Sequence, residues 1–201
     1  MGLTLFIISK LWTNQLGKIR KFDYENWDNC IERNCKKALN ELHLKKLDAL
    51  LIHWPLNEEE KDGITEEFII EEIWPQMEQL VKDGLVKSIG TSNMTIPKMN
   101  LLLRDCEIIP AVNEMEIHPH FQQSALFDYL VERNIQPIGF SPIGSPKRPE
   151  RDKTEQDTVD IEDPVIVEIA NRFNVHPAVI CLKWAIQRGQ IPIPFSVTPS
   201  K

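Results

Sequence analysis

Six short apolar runs, each closing on polar side chains, recur along this chain with room for a helix between most neighbours. They are Leu5 to Lys10 (LFIISK), Ala49 to Trp54 (ALLIHW), Ser88 to Asn93 (SIGTSN), Ala111 to Glu114 (AVNE), Pro137 to Ser141 (PIGFS) and Ile191 to Ser196 (IPIPFS). Alternation of short apolar runs with helical segments predicts parallel strands joined by helices. Parallel strands so connected present their C-terminal ends on one side. A ring of side chains there would hold a lysine, a histidine, an Asn-Ser pair, an aromatic ring and several hydroxyls. That is the layout of an active site.

The segments between the runs support this reading. Asn26 to Leu42 carries Trp27, Cys30, Ile31, Asn34, Cys35, Ala38 and Leu42 at helical spacing, with charged residues between them. The run from Leu47 to Trp54 stops at Pro55, which cannot continue a ladder. A helix is expected from about Glu66 to Lys82, with Pro75 marking a break or a new first turn, and Asp83-Gly84 ending it in a left-handed cap. Pro97 to Arg104 and Ser124 to Arg133 read as helices, as do Pro164 to Phe173 and Pro177 to Arg188. Ser145 to Asp160 is polar, lacks an apolar period and reads as a surface loop. A barrel and an open doubly wound sheet both suit the pattern. No strand is followed by G-x-G-x-x-G or a Walker lysine motif, which sets the barrel ahead.

With 201 residues and no linker-like tract, residues 1–201 read as a single domain. A net charge of -7 argues against a phosphate-backbone footprint, so nucleic acid is not an expected partner. The apolar N-terminal run is too short to span a bilayer and has no basic leader, so no membrane association is expected. Cys30, Cys35, Cys106 and Cys181 show no metal spacing and read as buried free thiols, which suits the cytoplasm. His118-Pro119-His120 has two imidazoles but no third ligand nearby in sequence, so no metal is expected.

Lys10 and His53 close successive strands of the same polarity. A positioned imidazole can donate to a carbonyl oxygen, and an ammonium depresses the pKa of a neighbouring acid. That chemistry suits carbonyl reduction. Phe6 to Trp12 (FIISKLW), Leu51 to Pro55 (LIHWP), Gly84 to Asn93 (GLVKSIGTSN), Val112 to Pro119 (VNEMEIHP), Phe140 to Ser145 (FSPIGS) and Ile193 to Val197 (IPFSV) resemble the aldo-keto reductases in order and spacing, over essentially the whole chain.

The resemblance implies a TIM-type (α/β)8 barrel, represented here by about six β-α units, without the first two units or the C-terminal tail. It implies NAD(P)H-dependent reduction of the carbonyl group of a small-molecule aldehyde or ketone. Lys10 matches the lysine that acidifies a catalytic tyrosine, and His53 the histidine that orients the carbonyl. Trp12 and Trp54 match walls of the substrate pocket. Ser92, Asn93 and Glu114 match the groups that hold the nicotinamide carboxamide, and Phe140 the ring stacked on the nicotinamide. Ser141, Ile143 and Ser145 match the pyrophosphate loop, while Phe195 and Ser196 fall where the adenosine 2'-phosphate binds. NADPH is the expected cofactor. NADH is the alternative, because Phe195 replaces the usual lysine.

The departures set a second expectation. The segment carrying the family's catalytic tyrosine and its aspartate has no match, and the two tyrosines, Tyr24 and Tyr129, lie elsewhere in the pattern. This chain is therefore expected to be inactive by itself. The alternative function is that of a non-catalytic nucleotide-binding or interaction relative. Six strands do not close an eight-stranded barrel, so the open edges favour self-association.

Overall fold

A computed structural model of the chain describes residues 5–11, 30–54, 73–144 and 159–196. Within them the elements run β1 (Ile8–Leu11), α1 (Cys30–Glu41), β2 (Leu47–Ile52), α2 (Trp74–Lys82), β3 (Val86–Ser92), α3 (Ile96–Asp105), β4 (Val112–Glu116), α4 (Ser124–Val131), β5 (Gln136–Phe140), a 3-10 turn (Asp160–Glu162), α5 (Pro164–Phe173), α6 (Pro177–Arg188) and β6 (Ile191–Pro192). The six apolar runs are the six described strands. The chain divides into two compact units, Met1–Asn113 and Glu114–Lys201, the boundary falling inside β4.

In the first unit the strand order is β1-β2-β3-β4. β1 pairs with β2 and β2 with β3, both parallel, in a register that sets Lys10 opposite Leu51 and Leu51 opposite Gly90. Every residue of β2 is buried, as a central parallel strand covered on both faces requires. A side chain at Gly90 would meet Leu51 Cδ2 and Val112 Cγ2 at 2.7 Å and the Val112 carbonyl oxygen at 2.8 Å. The glycine therefore lets its two neighbours close over it. Helix α2 starts on Trp74-Pro75, with proline in the first turn where its missing N–H costs no hydrogen bond. It ends at Lys82, and past its cap Asp83 the left-handed Gly84 (φ +74°) donates its N–H to Val81 O while Leu85 N–H donates to Leu80 O. Trp74, Met77 and Leu80 bury its inner face. Glu78 is buried with them and accepts from the backbone amides of Glu107 and Ile108 at 2.8 and 2.9 Å.

Asp48, in β2, accepts from the Ile7 backbone amide at 2.8 Å and pairs with Lys87 of β3. The amide first, and then Lys87, hold its carboxyl below the usual carboxylate range. A depressed folded-state pKa stabilises the fold above the unfolded aspartate value and loses that stabilisation as pH falls through the lower folded value. Asp48→Asn is therefore expected to lower the Tm at pH 6, and the gap to the unsubstituted chain should close on titration toward pH 2.5. A gap that stays constant across that range would contradict the linkage.

In the second unit the order is β4-β5-β6, with β5 and β6 parallel. Helices α5 and α6 follow one another through Asn174 (φ +51°), and His176 Nδ1 caps the second by accepting from Ala178 N–H. Asp163 caps α5 by accepting from Val165 and Ile166 N–H. β6 is only two residues long, although Ile193 N–H still pairs with Gly139 O. Buried Cys181, on α6, has its thiol pushed up to about 12 by burial first and by Asp160 second. Among the described residues no single helix is long and apolar enough to cross a membrane.

Four local expectations are corrected. Helix α1 buries Ile31, Cys35 and Leu39, whereas Leu42 is 47% exposed, because the helix ends at Glu41 and His43 turns left-handed (φ +54°). Helix α4 stops at Val131, two residues short of the expected Arg133. Cys106 is half-exposed rather than buried. Asp160, the last residue of the stretch read as a surface loop, is completely buried and opens the 3-10 turn. The remainder of that stretch from Ser145, the first part of the helix expected from Glu66, residues 26–29 and the Cys30 side chain lie outside the described residues.

Candidate active site

In the first unit, the C-terminal ends of β1, β2 and β3 bring five of the expected site residues together, Lys10, His53, Trp54, Ser92 and Asn93. Lys10 lies opposite Leu51, and His53 follows Leu51 by two residues. A period of two puts both on one face of the sheet, His53 about 7 Å further toward the strand ends. Continuing the register from the Ile52–Thr91 pair sets Ser92 opposite His53. The row of Lys10, Leu51 and Gly90 thus underlies a row of His53 and Ser92. His53 N–H donates to Leu11 O at 3.0 Å, which fixes the chain just past the strand. Trp54, 37% exposed, stacks on the His53 ring with centroids 6.0 Å apart. Trp12 lies outside the described residues.

The turn after β3 is tightly specified. Asn93 takes a left-handed conformation (φ +58°), which asparagine tolerates better than most residues. Its Nδ2 donates to the His53 carbonyl at 2.9 Å and to Ser92 Oγ at 3.1 Å, linking the ends of β2 and β3. Asn113 supports this turn from β4. Its Oδ1 accepts from Thr91 Oγ1 at 2.9 Å and from Met94 N–H at 3.3 Å, and its Nδ2 donates to Met94 O at 3.2 Å. Thr91 and Asn113 are fully buried. Neither was expected at the site, although both stand inside quoted motifs. A lone buried asparagine between Val and Glu is the signal that could have marked it.

In the second unit, Glu114 is buried on β4 and Phe140 ends β5, its carbonyl accepting from Ile117 N–H at 3.4 Å. Ser141 follows in a left-handed turn (φ +49°), closed by Gly144 N–H donating to Ser141 O at 3.0 Å, with Ile143 half-buried between them. Ser196 is exposed beyond β6, and Phe195 is 88% exposed. Ser145 is outside the described residues. His118 and His120 face carboxylates rather than an open ligand set. His118 Nδ1 lies 3.0 and 2.9 Å from the two oxygens of Asp160, and His120 Nε2 lies 3.0 Å from Asp163. Among the described residues no cluster of three or more histidine, cysteine or carboxylate side chains is placed to hold a metal ion.

The family model for the aldo/keto reductases matches residues 3–201. This chain belongs to the aldo/keto reductase family. It is 34% identical to aldo-keto reductase family 1 member A1-A of Danio rerio, over 98% of this chain and 60% of that protein. It is 32% identical to glycerol 2-dehydrogenase (NADP(+)) of Hypocrea jecorina, over 98% of this chain and 62% of that one. Among solved structures, the aldose reductase of Schistosoma japonicum superposes with a TM-score of 0.77 at 29% identity, covering 96% of this chain and 60% of that one. An aldo/keto reductase of Brucella melitensis gives 0.78 at 28%, covering 98% and 63%. The chain thus spans about 60% of the length of these relatives, and its fold is part of a TIM-type barrel.

Aldo/keto reductases generally use a nicotinamide nucleotide. The donor set at Ser92 and Asn93 fits its carboxamide. Ser92 Oγ accepts from Asn93 and keeps its own proton, while Asn93 spends its NH2 and keeps Oδ1. One donor and one acceptor stand side by side, the complement of a primary amide.

Proposed function

We propose that this aldo/keto reductase chain binds a nicotinamide dinucleotide, NADPH ahead of NADH, as a single domain over residues 1–201. In this reading it presents Lys10 and His53 to the carbonyl group of a small-molecule aldehyde or ketone. The unspent donor and acceptor of Ser92 and Asn93 carry the reading. Bound there, the nucleotide would supply hydride. Ser92 and Asn93 would hold its carboxamide and Glu114 would accept from the same amide's NH2, being acceptor-only when ionised. Phe140 would stack on the ring, and Ser141, Ile143 and Ser145 would line the phosphates. Exposed Phe195 offers the 2'-phosphate no charge and Ser196 offers a hydroxyl, so NADH remains a competitor. His53 would orient the carbonyl oxygen, Lys10 would favour negative charge beside it, and Trp12 and Trp54 would shield the pocket from water.

Proton delivery is the weak link of the 201-residue polypeptide. The chain has two tyrosines. Tyr129 is on helix α4 with Arg133 3.7 Å over its ring, far in role from a strand-tip acid, and Tyr24 lies in the sequence beyond β1. This favours a nucleotide-binding polypeptide with little turnover of its own. The free thiols of Cys35, Cys106 and Cys181 support a cytoplasmic setting, and exposed Ile191 on β6 with Ile193 and Phe195 just beyond it supports self-association.

The test is a fluorescence titration of the polypeptide with NADPH and NADH, paired with an assay of nitrobenzaldehyde reduction. Saturable binding with turnover at background is the expected result. Failure to bind either nucleotide would remove the reading. Robust turnover that disappears in Lys10→Ala and His53→Ala would overturn the inactivity and reveal a substitute acid.

A further inference from the structure

The second unit holds a buried group that the proposed chemistry leaves unused. Asp160 is a completely buried carboxylate whose two oxygens face His118 Nδ1 at 3.0 and 2.9 Å, and Oδ1 also faces His120 Nδ1 at 3.2 Å. His118 is itself 5% exposed and stands two residues beyond β4. On its other side Nε2 is 3.8 Å from Glu116 Oε1. His120 Nε2 pairs with Asp163, the cap of α5, and the Cys181 thiol of α6 senses the charge of Asp160. Taking a carboxylate out of water is expensive, and an apolar pair of the same volume would hold a turn to a helix at least as well. A buried carboxylate adds orientation: two fixed acceptors that select the Nδ1–H tautomer of one ring and set its plane.

The segment so fixed is the tip of β4. His118 exchanges backbone hydrogen bonds with Phe121 at 3.2 and 2.9 Å, which closes the turn. Its neighbour Ile117 donates to the carbonyl of Phe140. We infer that Asp160 is a positioning residue for the proposed nicotinamide platform: through His118 it locks the tip of β4, and through Ile117 that tip sets the place of Phe140. The inference rests on the nucleotide-binding reading above and adds to it a residue that reaches Phe140 only through His118 and Ile117.

The experiment compares Asp160→Ala, Asp160→Asn and Asp163→Ala in the full chain. Its readouts are the NADPH dissociation constant, amide hydrogen exchange at Ile117 and Phe121, and Tm. Asp160→Ala should weaken NADPH about tenfold, the worth of one well-made hydrogen bond, and speed exchange at both amides by a similar factor. Asp160→Asn keeps an oxygen for His118 Nδ1–H and should stay within about twofold of the unsubstituted chain. Asp163→Ala removes the α5 cap and should lower Tm while leaving affinity and the two amides unchanged. Should Asp160→Ala fail to fold, His118→Phe keeps a ring beside Phe121 without the donor and should show the same loss of affinity and protection. A lowered Tm with unchanged affinity and exchange in Asp160→Ala, or in His118→Phe, would make Asp160 a purely structural anchor and overturn the inference. If the unsubstituted chain binds no nucleotide while its β4 amides still respond, the platform and the nucleotide-binding reading fall together. If nucleotide binds and the amides do not respond, only the positioning role falls.

Discussion

Trp74→Ala is expected to destabilise the chain by about 3–5 kcal/mol, the range for removing a large aromatic ring from a packed core. Trp74 is 1% exposed at the start of α2, among Ile73, Met77 and Leu80, and α2 packs on β3. Its indole N–H donates to Ile108 O at 3.1 Å, so alanine also strands a half-buried carbonyl. Folded domains have only about 5–15 kcal/mol in hand, so this one change removes a large share of the margin. Trp74→Phe keeps most of the ring and loses the N–H, and should cost about 1–2 kcal/mol. Urea denaturation at 25 °C measures both. A loss under about 1.5 kcal/mol for the alanine variant would mean that the helix is not seated as described.

Asn93→Asp is expected to weaken NADPH binding by about 30- to 100-fold, roughly the loss of two hydrogen bonds. The asparagine NH2 bridges His53 O and Ser92 Oγ. A carboxylate there has no proton to give, so an oxygen would face the His53 carbonyl and repel it. The Ser92 hydroxyl would then turn to donate to the new carboxylate and be spent. The donor half of the amide clamp would be spent, and the repulsion at His53 O would turn the acceptor oxygen out of line. Ser92→Ala removes the donor alone and should cost about tenfold. A fluorescence titration with NADPH separates the two variants, and equal affinities for Asn93→Asp and the unsubstituted chain would take the carboxamide away from this turn.

The alternation of strands and helices was legible because each run is short, apolar and bounded by proline, glycine or a cap. Pro75, Gly84, Pro164, Pro177 and Gly189 each stand at a helix end where their backbone preferences put them. Lys10, His53 and Ser92 were legible as a group because a parallel register leaves side chains of one parity on one face, and Asn93 extends that group from the turn beyond. Leu42 misled because periodicity carries no information on where a helix stops, and the left-handed turn at His43 ended it one residue too early. Asp160 was illegible for a different reason. Its burial depends on His118, 42 residues away in sequence, and a lone aspartate in a charged stretch looks like solvated surface. Thr91 and Asn113 share that difficulty, since their mutual hydrogen bond joins separate strands.

Gly90 has a last consequence. Even a methyl group at position 90 would have to prise Leu51 and Val112 off the strand between them, so this seam admits no residue but glycine without a shift of its neighbours.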